Sequence, residues 1–140
     1  MSIIIDTEKV NRIRRTFEFY YSANKPESFP SQMALAGRMF PLIDKFLTEP
    51  SEEVCIELVK VAISGFVGFN PQLNVTDFLE NVYRNTIESI TANPDLASPD
   101  SLRGGLYCAR AVNTIAFSQG SLDKTYPAFM VIPITWMLVN

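Results

Sequence analysis

Two cysteines and 15 carboxylates are the residues of this sequence that could perform nucleophilic or acid–base chemistry. Histidine is absent from all 140 residues, which removes every Ser–His or Cys–His nucleophile and the commonest general base near neutral pH. Cys55 and Cys108 lie too far apart in sequence for the usual Cys/His zinc sites. We therefore expect no catalytic residue, no metal and no cofactor, and we interpret both cysteines as small buried hydrophobic residues.

Carboxylates occur in two pairs, Glu52 with Glu53 and Asp95 with Asp100. Each pair lies at or near a predicted helix start, where negative charge is favoured by the positive end of the helix dipole. This placement accounts for the acids without catalysis. A carboxylate-based enzyme remains open as an alternative.

The first predicted helix carries a cluster suited to recognition. Arg12, Arg15 and Phe19 are spaced by three and four residues and therefore share one helix face, with Tyr20 at its margin. Arginine and aromatic residues are enriched in the hot spots of protein interfaces. The cluster predicts a face that binds another protein. In the alternative, Phe19 packs beneath a neighbouring loop and the arginines stay solvated.

The segment 126–140 contains no charged residue. Its larger side chains suit either the core of one chain or an interface between copies of the chain, which makes it a candidate homo-oligomer interface; they are Phe129, Met130, Trp136 and Met137. A membrane-spanning helix needs about 20 apolar residues, so we expect a packed element and no membrane anchor.

Bulk composition narrows the class of partner. The net charge of −3 argues against nucleic acid, whose phosphates are bound by clustered Lys and Arg. Hydrophobic residues make up 47% of the chain, enough for the core of a single domain over residues 1–140. No secretory signal is apparent, so a cytoplasmic location is expected.

Apolar residues recur at steps of three and four between Pro, Asn and Ser, which predicts an all-α fold. We expect an irregular bundle of five or six helices around a central apolar helix over residues 51–69. Four polar residues of that helix form one narrow stripe, predicted to be solvated: Glu53, Glu57, Lys60 and Ser64.

Three local features qualify this prediction. Pro41 lies inside the second helical pattern and predicts a kink or a break there. Gly104 and Gly105, in the fifth pattern, indicate close packing of another helix. The run 128–139 fits a short or kinked helix better than a strand; as a strand it would form a short β element with Ile3 to Ile5.

A small-ligand-binding domain is the last alternative. An apolar cavity between the central and fifth helices is its expected site. The preferred function is a non-enzymatic protein-binding module, such as an inhibitor, an immunity-type protein, an adaptor or an accessory subunit, and the second is an oligomeric assembly component.

Overall fold

The computed structural model describes residues 5–23, 29, 31–69, 72, 74–118 and 128–140. Every regular element in these ranges is a helix, so the predicted all-α class is confirmed. The α-helices are α1 (Thr7–Ala23), α2 (Gln32–Thr48), α3 (Glu52–Phe69), α4 (Val75–Ala92), α5 (Pro99–Ser118) and α6 (Ala128–Val139). A short 3₁₀ helix, which the sequence did not predict, spans Pro94–Ala97 before α5.

Polar side chains cap the starts of α1 to α5. Each cap accepts a hydrogen bond from a backbone N–H of the first turn, a group that has no partner within the helix. The capping residues are Asp6, Ser31, Ser51, Asn74 and Ser98. The helix starts therefore follow directly from local sequence chemistry.

Helix α2 continues through Pro41, so the predicted break into two short helices is wrong. Pro41 faces solvent, while Leu35, Ile43 and Phe46 are fully buried on the opposite side. A proline inside a helix costs about 3 kcal/mol or more. Burial of apolar side chains before and after it offsets that cost and keeps the helix in one piece.

The centre of the bundle is formed by α3 and α6 together. One hydrophobic cluster includes side chains from all six α-helices. Helix α3 packs against α2 and α6, whereas α6 contacts α1, α3, α4, α5 and the 3₁₀ helix. The predicted central helix is deeply buried, but α6 joins more of the elements.

Residues 128–139 form one helix, and Pro133 lies inside it as a buried residue. The strand alternative for this segment is therefore wrong. Its suggested partners Ile3 and Ile4 lie outside the described residues. A helix satisfies its own backbone hydrogen bonds, which suits a segment surrounded by other helices on several sides.

The polar stripe of α3 is only partly solvated. Glu53 and Glu57 are exposed and Lys60 is half-buried, but Ser64 is buried, contrary to the prediction. A serine is small enough to enter a helix contact, and the spacing of polar residues alone did not show where the neighbouring helices cover α3.

Gly105 marks a close approach of α5 to α6. A Cβ atom at this position would lie 3.1 Å from Cδ1 of Ile132, whereas one at Gly104 would meet open space. The predicted role of small residues in helix packing thus applies to Gly105 and not to Gly104.

Candidate functional site

Helix α1 buries one side and leaves the other in solvent. Val10, Ile13 and Phe17 are buried and anchor the helix to the core. Because these three residues follow helical spacing, residues on the opposite side face away from the bundle. That opposite side carries Arg12, Arg15, Phe19 and, at its edge, Tyr20; these four residues are called the α1 face below.

Phe19 is the most exposed large hydrophobic residue among those described, with 70% of its surface open to solvent. The alternative in which it packs beneath a loop therefore does not hold. Arg15 lies one turn earlier on the same side and is also exposed. An aromatic ring and a guanidinium thus stand next to each other on the surface of a helix.

The other two residues of the α1 face contact α3. Arg12 forms an ion pair with Glu52, and Nζ of Lys60 lies 4.9 Å from the centre of the Tyr20 ring. Arg12 and Tyr20 are eight residues apart in α1, and their partners Glu52 and Lys60 are eight residues apart in α3 in the same order. Helices α1 and α3 therefore run side by side in the same direction. These contacts hold one edge of the face against the bundle.

Arg14, the remaining arginine of α1, points to α4. Its guanidinium lies 3.0 Å from Oε2 of Glu80 and 5.5 Å from the centre of the Tyr83 ring. Burial raises the pKa of the Tyr83 phenol above its usual value, an effect that Arg14 partly offsets. Among the described residues, Arg12 and Arg14 are thus paired with acids, while Arg15 has no such ion pair.

The candidate oligomer residues of α6 lie mostly inside the chain. Phe129, Met130 and Met137 are buried in the core, so of the two alternatives the structure shows core packing for these three. Trp136 is half-buried and meets the ring of Phe46 edge-on, with centroids 6.4 Å apart and planes at 79°. None of the four forms an open apolar surface on the described part of the chain.

A second candidate region is a half-open groove of about 430 Å³ between α4, the 3₁₀ helix, α5 and α6. We call it the α4–α6 groove. The small-ligand alternative predicted a cavity between α3 and α5, but no residue of α3 lines this groove. The location differs because α6, not α3, lies against the side of α5 that carries Gly105.

The groove wall is mainly apolar. It is lined by Val82, Asn85, Thr86, Ser89, Ile90, Leu96, Ser101, Leu102, Gly105, Val131, Ile132 and Thr135. Sequence reasoning missed this region. One signal was present: Thr86 lies three residues after Tyr83 and four before Ile90, which places a polar residue on the buried side of α4.

The two cysteines differ in environment. Cys55 is buried, and burial, assisted by the nearby charge of Glu52, raises the pKa of its thiol to about 12. Cys108 is exposed, so the prediction of a buried hydrophobic role is wrong for this residue. It lies one turn after Gly105 on α5.

The paired carboxylates lie where the sequence placed them. Glu52 and Glu53 are in the first turn of α3, Asp95 is in the first turn of the 3₁₀ helix, and Asp100 is in the first turn of α5. Glu52 forms an ion pair with Arg12. Within the described ranges, Cys, Asp and Glu side chains form no group of three or more that could hold a metal ion.

The fold defines the chain as an all-α helical bundle. Across the residues that the structure describes, none of the helices combines the length and the apolar character required to cross a membrane. Comparisons with protein-family models, with curated proteins and with solved structures find no match to this chain.

Proposed function

We propose that this protein is a non-enzymatic protein-binding module that acts through the α1 face, as an inhibitor, an immunity-type protein, an adaptor or an accessory subunit. The observation that carries the proposal is the exposure of Phe19 on a helix whose Val10, Ile13 and Phe17 are buried. An aromatic side chain left in solvent gains free energy when a partner covers it. Arg15 beside it adds the second residue type that is common in hot spots.

Two side chains of the α1 face contact α3, and the other two are exposed to solvent. Arg12 and Tyr20 contact Glu52 and Lys60 of α3, which supports a rigid backbone under the face. Phe19 and Arg15 remain for the partner. A site on a rigid helix loses less conformational entropy on binding than one on a loop.

The chemistry of the face suggests what the partner offers. The ring of Phe19 would fit an apolar pocket of the partner. The guanidinium of Arg15, one helix turn from Phe19, would pair with a carboxylate of the partner. A protein surface can supply both. Nucleic acid is disfavoured by the net charge of −3 and by the pairing of Arg12 with Glu52.

We place the action of this module in the cytoplasm. Cys55 and Cys108 are both free thiols, as is usual for proteins of a reducing compartment.

Site-specific photocrosslinking tests the proposal. The photoreactive residue p-benzoylphenylalanine replaces Phe19 in one variant and Tyr107 in a matched control, since Tyr107 on α5 is almost equally exposed, at 66%. After irradiation in the native host, the Phe19 variant should give one discrete crosslinked partner and the Tyr107 variant should not. Adding Arg15→Glu should abolish the product while leaving the thermal transition unchanged.

Three results would contradict the proposal. Identical products from both positions would indicate non-specific contact, and a product that survives Arg15→Glu would remove Arg15 from the site. A crosslink only to a second copy of the chain would favour the alternative of an oligomeric assembly component.

A further inference from the structure

The α4–α6 groove contains no ionisable side chain among its lining residues. A charged ligand in such a groove would lose hydration without gaining an opposite charge. A neutral ligand avoids that cost. The apolar wall, which includes Ile90, Leu102 and Ile132, favours a ligand with a mainly apolar body.

The dimensions of the groove suit a small molecule. Its volume of about 430 Å³ falls within the range of roughly 300–1,000 Å³ that is usual for small-molecule sites. Leu96 of the 3₁₀ helix lines the groove and still exposes 47% of its surface. A ligand lying against Leu96 would cover apolar surface that the protein itself leaves in water.

Thr86 adds a polar group to this wall. Four other helical threonines donate their hydroxyl proton to the carbonyl four residues earlier; they are Thr16, Thr48, Thr114 and Thr135. The hydroxyl of Thr86 is buried and has no hydrogen-bond partner within the described part of the chain. Buried polar groups are rarely left unsatisfied, so this hydroxyl is suited to a hydrogen bond from outside the protein chain.

We infer that the α4–α6 groove binds a neutral, mainly apolar small molecule that carries one hydrogen-bonding group. The apolar body lies against the side chains of α4, α5 and α6, and the polar group reaches Thr86. This site is separate from the α1 face and does not depend on the proposed protein-binding function.

Two fluorescent probes that differ in charge test the inference. N-phenyl-1-naphthylamine is neutral and carries one N–H group, and 8-anilinonaphthalene-1-sulfonate is the same molecule with an added sulfonate. Titration of the full chain, followed by probe emission, should show saturable 1:1 binding of the neutral probe. The anionic probe should bind at least ten-fold more weakly, because the groove offers no positive charge.

A groove-filling variant locates the binding. Ser89→Trp places a large side chain at an exposed lining position, and Thr91→Trp places the same side chain at an exposed position of α4 that does not line the groove. Ser89→Trp should lower the affinity for the neutral probe at least ten-fold, while Thr91→Trp should leave that affinity unchanged. The far-ultraviolet circular dichroism of each variant checks that the helices are retained.

Thr86→Val removes the hydroxyl at nearly constant volume and tests the polar contact. The neutral probe should bind several-fold more weakly, while the thermal transition should not fall, since the hydroxyl makes no bond that the folded protein would lose. Equal binding of both probes, or no effect of Ser89→Trp, would overturn the inference. So would a dimer in sedimentation that Ser89→Trp converts to a monomer, because a second copy would then occupy the groove.

Discussion

Helices α1 and α6 use apolar residues in opposite ways. Helix α6 has no charged residue, and most of its larger side chains are buried where α6 packs against α1, α3, α4, α5 and the 3₁₀ helix. Helix α1 needs only one buried side, so Phe19 and Arg15 remain in solvent. An apolar or aromatic residue therefore indicates a recognition surface only where burial in the core does not already account for it.

Truncating one phenylalanine in each helix tests this difference between α1 and α6 directly. Phe129→Ala in α6 should lower the free energy of unfolding by about 3–5 kcal/mol, because it leaves a cavity in a fully buried site. Phe19→Ala in α1 should change it by no more than about 0.5 kcal/mol. Equilibrium unfolding in urea measures both, and similar values for the two variants would contradict the assignment of α6 to the core and of Phe19 to the surface.

A pH series sharpens the account of the core through Cys55. Its thiol pKa is raised from 9.0 to about 12 in the folded protein, so the unfolded chain loses this proton first as pH rises. The contribution of this thiol to the free energy of unfolding is therefore fully present below pH 9. It decreases as the pH rises toward 12, with a slope of up to about 1.4 kcal/mol per pH unit. Urea unfolding between pH 8 and 11 should show this decrease.

Cys55→Ala should reduce that slope by up to about 1.4 kcal/mol per pH unit, which corresponds to one proton released on unfolding. Cys108→Ala is the matched control because Cys108 is exposed. Tyr83, whose pKa is also raised, is present in both variants, and its contribution therefore cancels from the comparison. An equal slope in the wild type and Cys55→Ala would contradict the burial of this thiol.

Two adjacent glycines test how closely α6 approaches α5. Gly104→Ala should stabilise the protein by roughly 0.5–1 kcal/mol, because alanine favours the helix and the new methyl group meets open space. Gly105→Ala should gain less, because its methyl group would press on Cδ1 of Ile132. Thermal or urea unfolding separates the two variants, and a larger gain at Gly105 would show that α6 lies farther away.

The smallest effect concerns the edge of α1 that contacts α3. A double-mutant cycle on Arg12 and Glu52 should give a coupling of about 0.2–1 kcal/mol, since the side chains are 52% and 40% exposed. The coupling should decrease at high salt. Arg15→Ala, which removes no ion pair within the described residues, should leave stability unchanged. A stability loss at Arg15 equal to that at Arg12 would show that Arg15 also serves the fold.

Local sequence patterns predicted the helices well because the signals are themselves local. Ser31, Asn74 and Ser98 each cap a helix by accepting a hydrogen bond from a backbone N–H group three residues later in the chain, so a helix start depends on residues that are close together in sequence. The same reasoning identified the α1 face, because residues 12, 15 and 19 share one side of any helix. The assignment of Phe19 to the surface still required knowledge of what packs on α1.

Patterns that depend on neighbouring helices were predicted less well. Ser64 and Cys108 were assigned by the character of their own helices, yet Ser64 is buried and Cys108 is exposed. Pro41 was expected to kink or break α2, and tertiary packing keeps the helix unbroken. In each case the outcome depends on whether residues far away in sequence pack against that part of the helix, which helical periodicity cannot encode.

Local sequence signals were sufficient to predict the all-α class and the side of α1 that carries Arg12, Arg15 and Phe19. These features depend on hydrogen bonds and spacings within a few residues. The packing of the helices was needed to establish that α6 joins the bundle, that Phe129, Met130 and Met137 belong to the core, and that a groove lies beside Thr86. Burial and cavities depend on how separate helices meet, and that geometry exists only once the chain has packed.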